Sequence, residues 1–327
     1  MKSRDEIQSP KSLLEAARYF ENSDVCMEFV AAMRWPNGPV CPHCGSARYS
    51  FLTTRRIWKC KSCRKQYSVK SGTIFEDSPI PLDKWLMAVW LVVNCKNGVS
   101  SYEIMRAVKV TQKSAWFMLH RIRLALKNSS WEKLGGRGHG PIEMDETFVG
   151  GRAQNMHASR RRRLQEGLRG QHKTVVVGML DRDARQVRAK VVPNVKRETL
   201  LNEILENINR KATIYTDNAT AYDALKVRDF VHETVTHIEE YVRGEVHTQG
   251  IENFWSLLKR GIKGTYVSVE PFHLDRYVTE QVFRFNNRAT KGNPLDDGDR
   301  FMLAVSQISG KRLTYAELTG KVQETAF

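Results

Sequence analysis

The chain has no long hydrophobic run. Its longest apolar stretch, Trp85 to Val93, falls far short of the roughly 20 residues a membrane-spanning helix takes. A secretory leader is not expected either, because Lys2, Arg4, Asp5 and Glu6 interrupt any apolar run at the N-terminus. No internal repeat or low-complexity tract appears, which excludes a repeat array. Acidic residues are in deficit, with 36 Asp+Glu against 52 Lys+Arg and a formal charge of +16. This imbalance favours a polyanionic partner, since each phosphate neutralised releases condensed counterions. Cysteine is scarce as well. Of the six, Cys41/Cys44 and Cys60/Cys63 form two C-x-x-C pairs, while Cys26 and Cys95 stand alone in apolar helical contexts. That is no extracellular disulfide framework, and a reducing cytoplasm is the expected compartment. The 327 residues allow two or three domains.

Residues 1–38 read as a helical lead-in, with Leu13, Leu14, Ala17 and Phe20 at helical spacing. Residues 39–75 are aromatic and turn-rich and hold both cysteine pairs. Residues 80–134 read as a helical region, and the run Gly135-Gly-Arg-Gly-His-Gly-Pro141 marks the main boundary. From 140 to 327 strands alternate with helices. Strands are expected at Pro141–Val149, His172–Leu180, Gln186–Val192 and Ala212–Thr216, the second and third joined through the Asp181-Arg-Asp-Ala turn. Helices are expected at Glu198–Asn209, Ile251–Ile262 and Pro271–Asn287. This order predicts a multidomain α+β chain whose last part is a ribonuclease-H-like mixed sheet with flanking helices.

The two cysteine pairs lie fifteen residues apart. Two such knuckles place four thiolates around one tetrahedral ion, and soft sulfur ligands suit Zn²⁺. Gly45 permits the tight turn of the first knuckle, and Tyr49, Phe51, Ile57 and Trp58 suit the strands of a zinc ribbon. His43 is expected to be exposed. Further on, Ser100 to Val108 reads as a short helix, and Thr111 can cap a second one. Ala115, Met118, Leu119, Ile122 and Leu126 would form the buried stripe of that second helix. The other face offers Gln112, Lys113, Trp116, His120, Arg121, Arg123 and Lys127. A helix-turn-helix would set its first residues in a DNA major groove, whereas an ordinary helical bundle would leave them as a solvated basic face.

Metal-assisted phosphoryl transfer needs carboxylates that converge from rigid elements, and three acids are candidates. Asp145 lies on a strand, Asp217 ends another in Ile214-Tyr-Thr-Asp-Asn218, and Glu252 opens a helix. Two Mg²⁺ ions held by such carboxylates can activate the attacking oxygen and stabilise the leaving one. Lys259, seven residues beyond Glu252, shares its helix face and could hold a phosphate. Alternation also puts Glu143 on the strand face of Asp145, where it could substitute as a ligand.

At this point the sequence resembles the bacterial insertion-sequence DDE transposases that carry an N-terminal zinc ribbon, over roughly residues 25–290. The resemblance rests on Cys41-Pro-His-Cys-Gly45, Lys65-Gln-Tyr-Ser-Val69, Gly72-Thr-Ile-Phe75, Met144-Asp-Glu-Thr-Phe-Val-Gly-Gly151 and Thr216-Asp217. It continues through His247-Thr-Gln-Gly-Ile-Glu-Asn-Phe-Trp-Ser-Leu-Leu-Lys-Arg260, His273-Leu-Asp-Arg-Tyr277 and Phe283-Arg-Phe-Asn-Asn-Arg288. It implies that Asp145, Asp217 and Glu252 bind Mg²⁺ or Mn²⁺, with Lys259 as the basic residue after the last acid. Some family members use Asn as the third ligand, and Asn253 adjoins Glu252. Cys41, Cys44, Cys60 and Cys63 would bind structural Zn²⁺.

The expected partner is double-stranded DNA, both terminal inverted repeats and target, worked on by at least a dimer. Lys113, Arg121, Arg160, Arg161, Arg162, Arg163 and Arg260 are expected to touch it. Arg276, Arg284 and Arg288 are further candidates for a DNA channel. The expected reaction is cleavage at insertion-sequence ends followed by 3′-hydroxyl strand transfer, with no covalent protein–DNA intermediate. The alternatives are a non-catalytic DNA-binding regulator derived from a transposase and a ribonuclease-H-like nuclease. A tyrosine recombinase built on His273, Arg276 and Tyr315 is a further one.

Overall fold

The computed structural model describes residues 9–127, 132–136, 140–151, 158, 173–217, 230–235 and 247–321. The chain divides into two compact units, residues 1–128 with 287–327, and residues 129–286. The tail beyond residue 286, grouped by sequence with the 140–327 segment, thus belongs to the first unit. Among the described residues no helix is long and apolar enough to cross a membrane.

In the first unit, α1 (Leu13–Tyr19) and α2 (Ser23–Arg34) are capped by Ser12 and Asn22. Ala16 and Phe20 face the core, whereas Leu13 and Leu14 are exposed, so the buried stripe of α1 is offset from the expected one. Strands β1 (Tyr49–Leu52), β2 (Ile57–Cys60) and β3 (Gln66–Tyr67) make a three-stranded antiparallel sheet. Trp58 anchors it, packing on Trp35 and Tyr67 with ring centroids 5.1 and 6.0 Å away.

Helix α3 (Leu82–Asn94) leads to α4 (Ser101–Val108) and α5 (Gln112–Ala125). Ser100 and Glu103 close a capping box, Lys109 turns the chain at φ 50°, and Thr111 caps α5 through the Ser114 N–H. The stripe Ala115, Met118, Leu119, Ile122 and Leu126 is buried as its spacing predicts. The opposite face departs from expectation, because His120, Arg121 and Arg123 are buried too. Arg121 is no DNA contact. Its guanidinium donates to the carbonyls of Leu313 (3.0 Å), Ile74 (3.0 Å) and Glu76 (2.7 Å), and it lies 4.6 Å over the Phe117 ring. The C-terminal segment covers that side of α5, and Lys311 Nζ donates to the carbonyls of Ala125 and Lys127 at the helix end. Lys113, in the first turn, stays exposed.

In the second unit, β4 (Ile142–Val149), β5 (Thr174–Asp181) and β6 (Gln186–Val192) form an antiparallel meander. Asp181 fixes its second turn by accepting from the N–H groups of Asp183 and Ala184. Helix α6 (Arg197–Asn207) then leads to β7 (Thr213–Asp217), which pairs parallel with β4, and β8 (Val231–Val235) pairs parallel with β7. The sheet order is β6-β5-β4-β7-β8, with β5 running against its neighbours, which is the ribonuclease-H-like arrangement.

One face of this sheet packs Ile142, Met144, Val177 and Ile214 against Leu200 and Ile204 of α6. The other packs Val176, Leu180 and Val187 against α7 (Gln249–Gly261) and α8 (Leu274–Asn286). Asn286 covers the edge of β6 by bonding both the N–H and the carbonyl of Val187.

Replacing Arg121 with Ala strands two buried carbonyls and a part-buried third, and each uncompensated buried group costs on the order of 1–3 kcal/mol. Arg121→Ala is therefore expected to lower stability by about 3 kcal/mol in denaturant melts. An unchanged midpoint would return this residue to the list of surface cations.

Candidate functional site

Two sets of side chains in the described structure are organised for chemistry. The first is the cysteine cluster of the β1–β3 sheet. The sulfur atoms of Cys41, Cys44, Cys60 and Cys63 all lie within 4.8 Å of one another. Cys41 and Cys63 are 3.7 Å apart, and Cys44 and Cys60 are 3.6 Å apart. Bonds of about 2.3 Å from one ion to four sulfurs imply a tetrahedron with edges near 3.8 Å, so this donor set fits tetrahedral metal. Gly45 makes the first knuckle at φ +72°, where a side chain would be strained. The Cys63 backbone N–H donates to Cys60 Sγ, the chief cause that draws this thiol down to about 6. His43 is exposed.

The second set lies where α7 meets the sheet. On β4 the residues Glu143 and Asp145 alternate with the core residues Ile142 and Met144, so both acids belong to the α7 face. Asp145 Oδ2 accepts from the Trp255 indole N–H at 2.9 Å, and its Oδ1 accepts from the Glu146 N–H. β4 pairs with β7 through Ile142↔Ile214 and Glu143↔Tyr215. Asp145 and Asp217 each lie two residues beyond the Glu143↔Tyr215 pair, each on its own strand. Asp217 ends β7 as expected, and its side chain lies outside the described part.

Glu252 sits exposed in the first turn of α7, where Thr248 Oγ1 donates to its Oε1 at 3.0 Å. Thr248 is the N-cap residue but makes no side-chain cap. The N–H of Ile251 is satisfied instead by Glu143 Oε2 at 2.8 Å, from across the interface. The buried stripe Ile251, Phe254, Trp255 and Leu258 leaves Lys259 half-exposed and Arg260 exposed.

Glu143 is only 1% exposed and is no free ligand. Its other oxygen accepts from Arg182 Nε at 2.6 Å. Arg182 Nη2 also donates to the His247 carbonyl (2.5 Å) and meets His247 Nδ1 (2.8 Å). A guanidinium offers no lone pair, so Nδ1 must accept and the ring proton sits on Nε2. The Arg182 guanidinium carbon further lies 4.9 Å over the Tyr215 ring. Nothing in the sequence marks Arg182, which reads as one residue of a turn.

Two glycines allow this approach. A Cβ on Gly178, the β5 partner of Asp145, would stand 2.5 Å from the Trp255 ring. One on Gly250 would stand 2.4 Å from Leu180 and 2.9 Å from Glu143 Oε2.

The remaining expected residues fall elsewhere. Arg160, Arg161, Arg162 and Arg163 lie outside the described residues. Arg284, offered as a channel residue, is buried and ion-paired with Glu280, which also accepts from Tyr266 Oη. Arg288 is exposed in the first unit. His273 and Arg276 belong to the second unit and Tyr315 to the first, where its ring stacks beneath Lys113.

Comparison with known proteins bears on both sets. Residues 137–286 match the ISXO2-like transposase domain, and residues 21–66 match a transposase zinc-ribbon domain. A protein in transposable element ISH50 of Halobacterium salinarum is 30% identical over 246 residues, covering 71% of this chain and 80% of that protein. A transposase-like protein of Haemophilus influenzae is 34% identical over 106 residues, 32% of this chain and 85% of that protein. Among solved structures, the catalytic core domain of BIV integrase aligns with a TM-score of 0.33 at 13% identity, over 48% of this chain and 90% of that one. A simian T-cell lymphotropic virus intasome in complex with the PP2A regulatory subunit B56 gamma aligns with a TM-score of 0.29 at 14% identity, over 60% of this chain and 65% of that one. With a zinc-ribbon match, a transposase-domain match and a relative sharing four-fifths of its length, the chain belongs to the ISXO2-like family of insertion-element transposases.

Proposed function

We propose that this transposase cuts DNA at the ends of its insertion element and joins the freed 3′-hydroxyls to target DNA, using Asp145, Asp217 and Glu252 as carboxylate ligands for Mg²⁺ or Mn²⁺. The observation that carries this reading is the docking of α7 on β4. The Trp255–Asp145 and Ile251–Glu143 hydrogen bonds tie the helix that bears Glu252 to the strand that bears Asp145, beside the strand ending in Asp217. Hard oxygen donors from two strands and a helix suit a hard divalent cation. When bound, such ions supply Lewis acidity to the attacking and leaving oxygens of an in-line displacement.

The chain's own groups hold the geometry. Thr248 orients the Glu252 carboxylate and Trp255 orients that of Asp145. Lys259, two helical turns beyond Glu252, provides a cation for a DNA phosphate. The four cysteines hold Zn²⁺ and stiffen a basic ribbon that joins the α4–α5 helix-turn-helix in binding element ends. Lys113 and Arg260, both exposed, contact phosphates, and the reaction is run by at least a dimer on DNA.

Labelled element ends incubated with protein and Mg²⁺ are expected to yield 3′-end nicks and joined products. Asp145→Asn, Asp217→Asn and Glu252→Gln should each lose roughly a thousandfold or more in rate while still binding DNA. Equal cleavage by Asp217→Asn would falsify the assignment, and nicking without joining would leave a nuclease. A separate expectation concerns Lys113→Ala, which should weaken end binding at every sequence and lower the salt slope by about 1. Metal analysis should find about one zinc per chain, lost in Cys41→Ser/Cys60→Ser together with several degrees of melting temperature. A chain that melts identically with and without chelator would have no structural metal.

A further inference from the structure

Arg182 touches both strands that carry acids and the residue that leads into the helix bearing the third. It bonds Glu143, two residues before Asp145 on β4. It covers the ring of Tyr215, two residues before Asp217 on β7. It also holds the carbonyl and the ring of His247, just ahead of the helix that bears Glu252. Glu143 completes the arrangement by capping that helix at the Ile251 N–H. Thr248 makes no side-chain cap, and its hydroxyl donates to the Glu252 carboxylate.

We infer that Arg182 and Glu143 form a positioning clamp that fixes the Glu252 helix against the two acidic strands, and that neither residue is a metal ligand. This rests on the metal-site reading above. Both Glu143 oxygens are already engaged by donors, and the side chain is 1% exposed. A carboxylate in that state can set the height and rotation of α7 but has no face to offer an ion. Gly250 leaves room beside the Glu143 carboxylate, since a Cβ there would stand 2.9 Å from its Oε2 and 2.4 Å from Leu180. Its chemistry is that of ligand support, where altering the partner behind a ligand typically costs 10–100-fold in metal affinity or activity.

The test compares full-length wild type, Glu143→Gln, Arg182→Ala, Arg182→Lys and the Glu143→Gln/Arg182→Ala double variant. Single-turnover 3′-end cleavage is measured against Mn²⁺ concentration, alongside DNA-end binding and melting temperature. The single variants are expected to cleave roughly 10–100-fold more slowly and to need about tenfold more Mn²⁺ for half-maximal rate, with end binding retained. Arg182→Lys should recover part of the loss, and the double variant should be no slower than the slower single one, since both act through one contact. If Arg182→Ala does not fold, Glu143→Gln and Arg182→Lys carry the same readouts.

Wild-type cleavage and Mn²⁺ dependence in these variants would overturn the clamp. So would a rate loss that tracks melting and DNA binding with no change in the Mn²⁺ requirement. Asp217→Asn separates the two levels. If it is inactive while Arg182→Ala is normal, only the clamp fails. If Asp217→Asn cleaves normally, the metal-site reading fails and the clamp with it.

Discussion

A carboxylate buried on β4, Glu143, must find partners for both of its oxygens, and the second unit is arranged around that requirement. A buried charge is tolerated only when paired and hydrogen-bonded, and removing one partner of such a pair typically costs about 3–5 kcal/mol. Arg182 supplies the opposite charge and the first turn of α7 supplies an N–H. The helix dipole also favours an anion at that end. The same contacts therefore hold an ion pair together and pin a helix in place. The way this buried charge is satisfied thus sets where the first turn of α7 meets β4.

The sheet divides its labour between its faces. Toward α6 it is aliphatic, and its packing is that of an ordinary α/β core. Toward α7 it carries Glu143 and Asp145 alongside Val176 and Leu180, so the helix must deliver apolar and polar partners in one stripe. Trp255 does both, burying its ring over Gly178 while its N–H reaches Asp145. Close packing here depends on two missing side chains, those of Gly178 and Gly250, more than on any large one. A methyl group at Gly178 would meet the Trp255 ring at 2.5 Å, and one at Gly250 would meet Leu180 at 2.4 Å, so these side chains would have to shift.

The first unit shows how little a run of cations says about what they touch. Lys113 and Arg121 lie eight residues apart on one helix. Lys113 remains at the surface, while Arg121 bonds three backbone carbonyls under the C-terminal segment. A guanidinium with five donors is well suited to gathering carbonyls from separate segments, and here it ties residues 74–76 and 313 to α5. Arg284 in the second unit is absorbed in the same way, by Glu280 and Gln281. The basic excess of the chain is thus partly structural.

Local sequence fixed whatever depends on neighbours along the chain. The C-x-x-C spacing and Gly45 specify the knuckles that bring four sulfurs together. Ser100 with Glu103, and Thr111, specify where α4 and α5 begin. Apolar alternation and the Asp181 turn specify the β5–β6 hairpin, and motif order placed Asp145 and Glu252 on a strand and at a helix start. The strand Val231–Val235 is not among those the sequence predicts. Tertiary structure alone decided which charges are buried, because burial depends on what arrives from far along the chain. Residues 311 and 313 reach α5 from 186 and 192 positions away, and the α7 N-terminus reaches Glu143 from 108. No periodicity in a window of ten or twenty residues reports such meetings, so Arg121 read as a surface cation, Glu143 as a spare ligand and Arg182 as part of a turn.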